Sequence, residues 1–243
     1  MKIIKLNAID STNSFLKDLV RNSVVNNFTV VTADEQTAGK GQLGNKWLSE
    51  KGKNLTISIF IKYTNALITN QNYLNFAICL AVFDTISEYN VPNLTIKWPN
   101  DIMSANKKIS GILIENTLKK DKIISSIIGI GINVNQTEFQ SQLSKATSIQ
   151  NCINQKTDLN LLTKKVQKKV ICYMESFQKG AFLILEDNYL SKLYKKGIPS
   201  TFIDSHKNYF MGIINGVSKN GKLQVLLGDD SIKEFGIKEI TFT

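Results

Sequence analysis

The sequence predicts an α+β fold: a mixed sheet with flanking helices, followed by a small SH3-like β-barrel. Three observations carry that reading. Strand-like and helical stretches intermingle up to residue 195. Two long stretches within that span place their apolar residues at helical spacing. After Gly197-Ile198-Pro199 the texture changes to short strand-like runs divided by turn residues. The expected division is 1–195 and 196–243.

Residues 2–7 read as a short strand. Asp10-Ser11-Thr12-Asn13 are N-cap residue types, and Phe15, Leu16, Leu19 and Val20 follow at helical spacing. Residues 28–33 and 54–62 read as buried strands on either side of a glycine-rich loop. Residues 70–89 carry Leu74, Ala77, Ile78, Ala81, Val82 and Ile86 on one helical stripe. A short strand, 94–98, is stopped by Pro99. It leaves Lys97-Trp98-Pro99-Asn100-Asp101 at a strand end, where Asn100 and Asp101 either stabilise a tight turn or offer oxygen ligands suited to Mg²⁺. Residues 108–115 and 122–134 form a hairpin. Gly111, Gly129 and Gly131 fall inside its strands, which suggests either bulges or a ligand lying flat on the sheet. Residues 136–157 are polar and weakly patterned, a loop or a short helix. Asp158 caps a long helix with Leu159, Leu162, Val166, Val170, Met174 and Phe177 on one face, and a second helix covers 181–194. Lys219-Asn220-Gly221-Lys222 and Gly228-Asp229-Asp230 are hairpin turns of the terminal barrel.

Composition narrows the function classes. Of 243 residues, 42% are hydrophobic, enough for a core, and no run reaches the about 18 apolar residues of a membrane span. The N-terminus lacks the pattern of a secretory signal, so a cytoplasmic location is expected. Cys79, Cys152 and Cys172 are widely spaced and His206 is the one histidine, which argues against a zinc site. Cys79 and Cys172 sit among apolar neighbours and are expected to be buried thiols. The formal net charge of +10 suggests anionic partners or a lysine-rich soluble surface. Arg21 is the one arginine, which speaks against sequence-specific DNA binding.

The loop from Asp34 to Ser58 organises the chain. Gly39, Gly41, Gly44 and Gly52 alternate with Lys40, Lys46, Lys51 and Lys53 around Trp47. Glycine-rich backbone with lysines makes a place for an anion, most often a phosphate. Alone, the stretch fits a basic surface loop equally well.

Taken in order, DSTN (10–13), EQTAGKGQLGNKW (35–47), KWPND (97–101), KISGIL (108–113) and GIGIN (129–133) resemble the motifs of the biotin protein ligase family, also called biotin–[acetyl-CoA-carboxylase] ligase. The resemblance runs over essentially the whole chain, and the last residues look like that family's C-terminal SH3-like domain. It implies a class II synthetase-like catalytic domain, with biotin, ATP and Mg as substrates and cofactors. The implied reaction joins biotin to AMP, then passes the biotinyl group to one lysine of a biotin carboxyl carrier protein domain, as in acetyl-CoA carboxylase. Ser11, Thr12, Asn13 and Gln36 would then bind biotin's ureido ring. Gly39, Lys40, Gly41 and Gln42 would wrap its carboxylate and the adenylate phosphate, and Trp47 would close over them. Lys108, with Lys40, would be the catalytic cation. Gly111, Gly129 and Gly131 would floor the biotin site. Asn100, Asp101 and Asn133 would face ATP, with Asp101 on Mg. The resemblance also implies a monomer or a homodimer paired through the sheet edge near GIGIN, no membrane association, and no helix-turn-helix ahead of DSTN, hence no specific DNA binding.

The loop departs from the family's usual GRGRRG. Lys40 keeps one charge without arginine's bidentate fork, and Gln42 and Leu43 lose charge. The alternatives are a lipoate–protein ligase, which shares the catalytic fold, and a basic nucleic-acid-binding module.

Overall fold

In the computed structural model, residues 2–243 are described, the side chain of Gln142 excepted. Seven strands form one mixed sheet: β1 (Ile3–Ile9), β2 (Val30–Gln36), β3 (Leu55–Leu67), β4 (Leu94–Lys97), β5 (Asp101–Ser104), β6 (Lys107–Lys119) and β7 (Lys122–Ile132). Their order is β1-β2-β3-β7-β6-β5-β4. Only β1 and β2 run parallel; every other neighbouring pair is antiparallel. β7 therefore lies between β3 and β6, and the edge strands are β1 and β4, so a dimer paired through an edge at GIGIN is not available to this sheet.

The two faces of the sheet are covered differently, and the period-2 alternation of the strands sets which residue goes where. Helices α2 (Gln71–Ser87), α4 (Leu159–Gln178) and α5 (Phe182–Ser191) pack on one face with Val30, Ile57, Ile59 and Ile128. α2 is buried all round, Phe76, Cys79 and Leu80 included, as expected of a helix apolar on every side. Helix α1 (Thr12–Asn22) packs on the other face through Leu16 against Val31, Phe60 and Ile127. Ser11 caps it by accepting from Ser14 N at 3.5 Å. This helix covers only part of its face and leaves the rest of the sheet bare beyond its N-terminus.

Asp158 caps α4, as its sequence predicts, by accepting from Asn160 N and Leu161 N. Val166, Val170, Met174 and Phe177 form its buried stripe. Cys172 lies off that stripe and is exposed, so only Cys79 of the two expected thiols is buried. Burial pushes the Cys79 thiol above its ordinary range. Lys165 and Lys169 meet Glu88 at 3.0 and 3.2 Å on the outer face. The polar 136–157 segment is ordered by long-range polar bonds and a short helix, α3 (Ile149–Ile153). Asn135 and Thr157 exchange two hydrogen bonds of 2.9 Å, and buried Gln136 accepts from Asn54 Nδ2 at 2.5 Å.

The terminal strands β8 (Pro199–Asp204), β9 (Tyr209–Val217), β10 (Leu223–Leu226), β11 (Ile232–Phe235) and β12 (Ile240–Phe242) form an antiparallel sheet in the order β11-β10-β9-β8-β12. The architecture is that of an SH3-like unit. Both predicted turns occur: Gly221 N donates to Ser218 O, and Leu227 N to Ser231 O, each at 2.8 Å. Phe202, Ile214, Leu223 and Phe235 belong to the same buried cluster as α2 and α4. Trp98 Nε1 donates to Gly221 O at 3.1 Å across that seam. Among the described residues, no helix is long and apolar enough to cross a membrane.

Candidate active site

The bare part of the α1 face is a cleft. Its walls are the N-terminus of α1 (Ser11, Thr12, Asn13), Gln36 at the end of β2, the loop from Lys40 to Trp47, and Asn100 with Lys108. Its floor is made by the residues of β3, β7 and β6 that alternate onto this side. Thr56 and Ser58 precede Phe60; Gly129 and Gly131 follow Ile127; Gly111 and Leu113 precede Glu115. Gly111 pairs with Gly131 and Gly129 with Leu113 in unbroken register, so the glycines mark no bulge.

Each glycine clears space, but for side chains of the chain itself. An ideal Cβ on Gly131 would lie 2.3 Å from Trp47 Cε2, and one on Gly111 would lie 3.1 Å from Trp47 Cζ3 and 3.0 Å from Lys108 Nζ. One on Gly129 would lie 2.6 Å from Asn13 Oδ1. The indole of Trp47 thus rests on the floor that the sequence reserved for a ligand, and about 50 Å³ of the cleft stays open. Its Nε1 is buried without a hydrogen-bond partner among the described residues.

The loop that carries Trp47 is a small hairpin. Gly41 N donates to Asn45 O at 2.7 Å and Trp47 N to Gly39 O at 2.9 Å. Leu43 and Gly44 make its tip at positive φ, 55° and 81°, and both are solvent-exposed. Gly39 is required by contact: an ideal Cβ there would meet Trp47 O at 2.5 Å. Lys40 Nζ donates to Ser14 Oγ at 2.7 Å, tying the loop to the first turn of α1. Lys238 Nζ reaches Leu43 O at 3.4 Å from the terminal sheet.

The polar end is tightly bonded. Gln36 Oε1 accepts from Thr12 N (2.8 Å) and Thr12 Oγ1 (2.9 Å). Ser58 Oγ lies 2.7 Å from Thr12 Oγ1 and 2.5 Å from Asn13 Oδ1. Asn13 Nδ2 donates to Glu115 Oε2 at 2.9 Å. Ser58 and Glu115 were not among the expected site residues.

The other end is cationic. KWPND is the tight β4–β5 hairpin, with Lys97 opposite Asp101. Asp101 opens a strand that sequence reasoning passed over. Its Oδ1 lies 2.6 Å from Lys108 Nζ. The Lys108 backbone is clamped by Lys145 O, which accepts from its N at 2.7 Å, and by Thr147 N, which donates to its O at 2.9 Å. Lys108, Asp101, Lys97, Lys145 and Lys195 then line a groove toward the terminal sheet. Burial lowers the Lys97 pKa below the ordinary lysine value, against the opposing pull of Asp101.

Asn100 Nδ2 is committed to Ile112 O. Asn133 is buried outside the cleft lining. Among the described residues, no three His, Cys, Asp or Glu side chains gather where a metal could sit. With Asp101 engaged by Lys108, the residues present do not fit a resident Mg²⁺.

Residues 6–133 match the model of the biotin/lipoate A/B protein ligase family. The chain is 35% identical over 159 residues to the bifunctional ligase/repressor BirA of Bacillus subtilis, covering 64% of the chain and 48% of that protein. It is 29% identical over 236 residues to the Escherichia coli BirA, covering 93% of the chain and 69% of that protein. The chain thus spans about half the length of the first of these relatives. A solved structure, the biotin protein ligase from Aquifex aeolicus in complex with biotin and ATP, is 30% identical with a TM-score of 0.80, covering 100% of the chain and 98% of that protein.

Proposed function

The chain belongs to the biotin/lipoate A/B protein ligase family, and from that premise we propose that it activates biotin with MgATP as biotinyl-5′-AMP and passes the biotinyl group to a lysine of a carrier protein domain. The observation that carries the reading is the polarity of the cleft. One end holds bonded amides and hydroxyls, the middle is a glycine floor under an indole, and the other end holds Lys108. That sequence of surfaces suits a polar ring, an apolar chain and an anionic head in one ligand.

The chemistry needs positioning more than acid–base catalysis. Biotin's carboxylate is ionised near pH 7. One of its oxygens forms a bond to the α-phosphorus of ATP while the bond to the β-phosphate oxygen breaks and pyrophosphate leaves. Lys108 and Lys40 supply positive charge as negative charge redistributes, and Lys108 is already held by its clamped backbone. Lys40 must exchange Ser14 for the ligand to do so. In the second half, the carrier lysine's amine attacks the acyl carbon and AMP departs. Ser11, Thr12, Asn13 and Gln36 bind the ureido ring. Gly39, Gly41 and Gln42 present the loop to the carboxylate and phosphate. Asn100 and Asp101 lie on the nucleotide side, and magnesium enters as part of the MgATP substrate.

Trp47 must lift from Gly111 and Gly131 to admit biotin and then covers it. A buried, unpaired N–H costs about 1–3 kcal/mol, so the closed position is weakly held. The same reading carries the expectation of a cytoplasmic location and of a monomer or homodimer.

The deciding experiment is ATP–pyrophosphate exchange with each acid. Exchange that depends on biotin is expected. Exchange with lipoate and none with biotin overturns the reading.

A further inference from the structure

The amides at the polar end of the cleft are oriented from outside it. Asn13 is 3% exposed and lines the cleft, whereas Glu115 does not. Glu115 follows Gly111 and Leu113 on the same side of β6, and its carboxylate accepts from Asn13 Nδ2 at 2.9 Å. Lys17 Nζ, one turn along α1, stands 3.5 Å from its other oxygen. An ionised carboxylate can only accept. On the far side of the amide, Ser58 Oγ lies 2.5 Å from Asn13 Oδ1. Turning the amide over would set Oδ1 against the carboxylate, two acceptors with no proton between them, so one orientation survives.

The neighbouring amide is fixed by the same logic. Gln36 Oε1 is used twice by Thr12, so Gln36 Nε2 is left to donate. Ser58 has one hydroxyl proton to give, and it goes to Asn13 Oδ1. The polar end therefore keeps N–H groups to offer: those of Gln36 Nε2 and the second proton of Asn13 Nδ2. A cyclic urea carries a strong acceptor oxygen that such donors can meet. A dithiolane ring carries none.

We propose that Glu115 is a positioning residue: by holding the Asn13 amide in one orientation it makes the cleft select a cyclic urea over a dithiolane. The proposal rests on the reading that the chain activates biotin. A site built to hydrogen-bond a substrate group rejects the analogue that lacks it, because its own donors are then left unpaired.

The test is pyrophosphate exchange on the full chain, with KM for biotin, KM for ATP and kcat measured separately. Glu115→Leu is expected to raise the biotin KM about tenfold, with ATP KM within twofold and kcat within threefold of the parent. The preference for biotin over lipoate, as a ratio of kcat/KM, should fall by the same factor. Glu115→Gln keeps an acceptor oxygen and should restore the biotin KM to within threefold. Lys17→Ala, which removes the ion pair and leaves the hydrogen bond, should leave it unchanged. Glu115→Ser carries the same expectation as the leucine variant should the latter not fold. A leucine variant with parental biotin KM, an equal rise in ATP KM, or a glutamine variant as poor as leucine overturns the inference alone. A parent chain without biotin-dependent exchange overturns the functional reading together with it.

Discussion

Gly129→Ala tests the packing of the cleft in the most direct way. The added methyl would lie 2.6 Å from Asn13 Oδ1 and 3.1 Å from both Cγ and Nδ2. Carbon and oxygen do not approach that closely, so the Asn13 amide must move. It cannot move freely, because Asn13 sits in the first turn of α1 and its two bonds run to opposite strands, β3 and β6. Displacement breaks both. A neutral hydrogen bond contributes about 1 kcal/mol and one to a carboxylate about 1.5–3 kcal/mol. Against this stands a gain of roughly 0.5–1 kcal/mol from alanine's lower chain entropy in a strand. The net loss is about 2–3 kcal/mol, a large share of a typical stability yet short of unfolding. The measurement is the urea midpoint without ligands, in the parent and in the Asn13→Ala background. In that background the clash is absent, and Gly129→Ala should cost less than about 0.5 kcal/mol. If Gly129→Ala leaves the parent's midpoint unchanged, or costs as much with Asn13 removed, the glycine is not there to seat Asn13.

Three further outcomes are expected. Lys108→Ala should fold normally by circular dichroism and lose about 10²–10³-fold in adenylation rate, the scale for removing one electrostatic stabiliser; activity within about threefold, or 0.7 kcal/mol, refutes the role. Proteolysis within residues 39–46 should slow when biotin and ATP are both present, and equal rates with and without them count against the loop as a cover. Lys97 has a folded pKa below its ordinary 10.5. Between the two values this side chain binds more protons in the unfolded chain, so its contribution to stability should rise with pH through that window. Lys97→Met should raise the urea midpoint at pH 7, and its advantage over the parent should shrink toward pH 10.5; a variant midpoint at pH 7 no higher than the parent's refutes the assignment.

Much of this molecule is legible in its sequence because the relevant signals are local. Val166, Val170, Met174 and Phe177 announce a buried helix stripe, and they form one. The turn at Asn220-Gly221 announces a hairpin, and it joins β9 to β10. What was missed depends on partners far away in the chain. β5 is only Asp101–Ser104, too short to show a period, and exists because β4 and β6 flank it. The 136–157 segment lacks periodicity because Gln136, Asn135 and Thr157 are placed by hydrogen bonds. Ser58 and Glu115 look like ordinary polar residues of a strand. The signal that finds them is alternation: Thr56 and Ser58, then Gly111, Leu113 and Glu115, fall on the face that α1 leaves bare. Asking which polar residues share a face with in-strand glycines would have named both.

The glycine floor shows where such reasoning needs coordinates. In-strand glycines imply that something comes close, but not what. Here the visitors are Asn13 over Gly129 and Trp47 over Gly131 and Gly111. Their bonding separates their roles. Asn13 is held by a hydroxyl and a carboxylate, and moving it would strand buried polar groups. The Trp47 indole N–H has no hydrogen-bond partner among the described residues, and the hairpin carrying it ends in an exposed, positive-φ tip. On the proposed reading, a ligand entering the cleft would displace the tryptophan and leave the asparagine in place. The space above Gly131 would then be ligand space held by a removable side chain, whereas the space above Gly129 is filled by the bonded amide of Asn13.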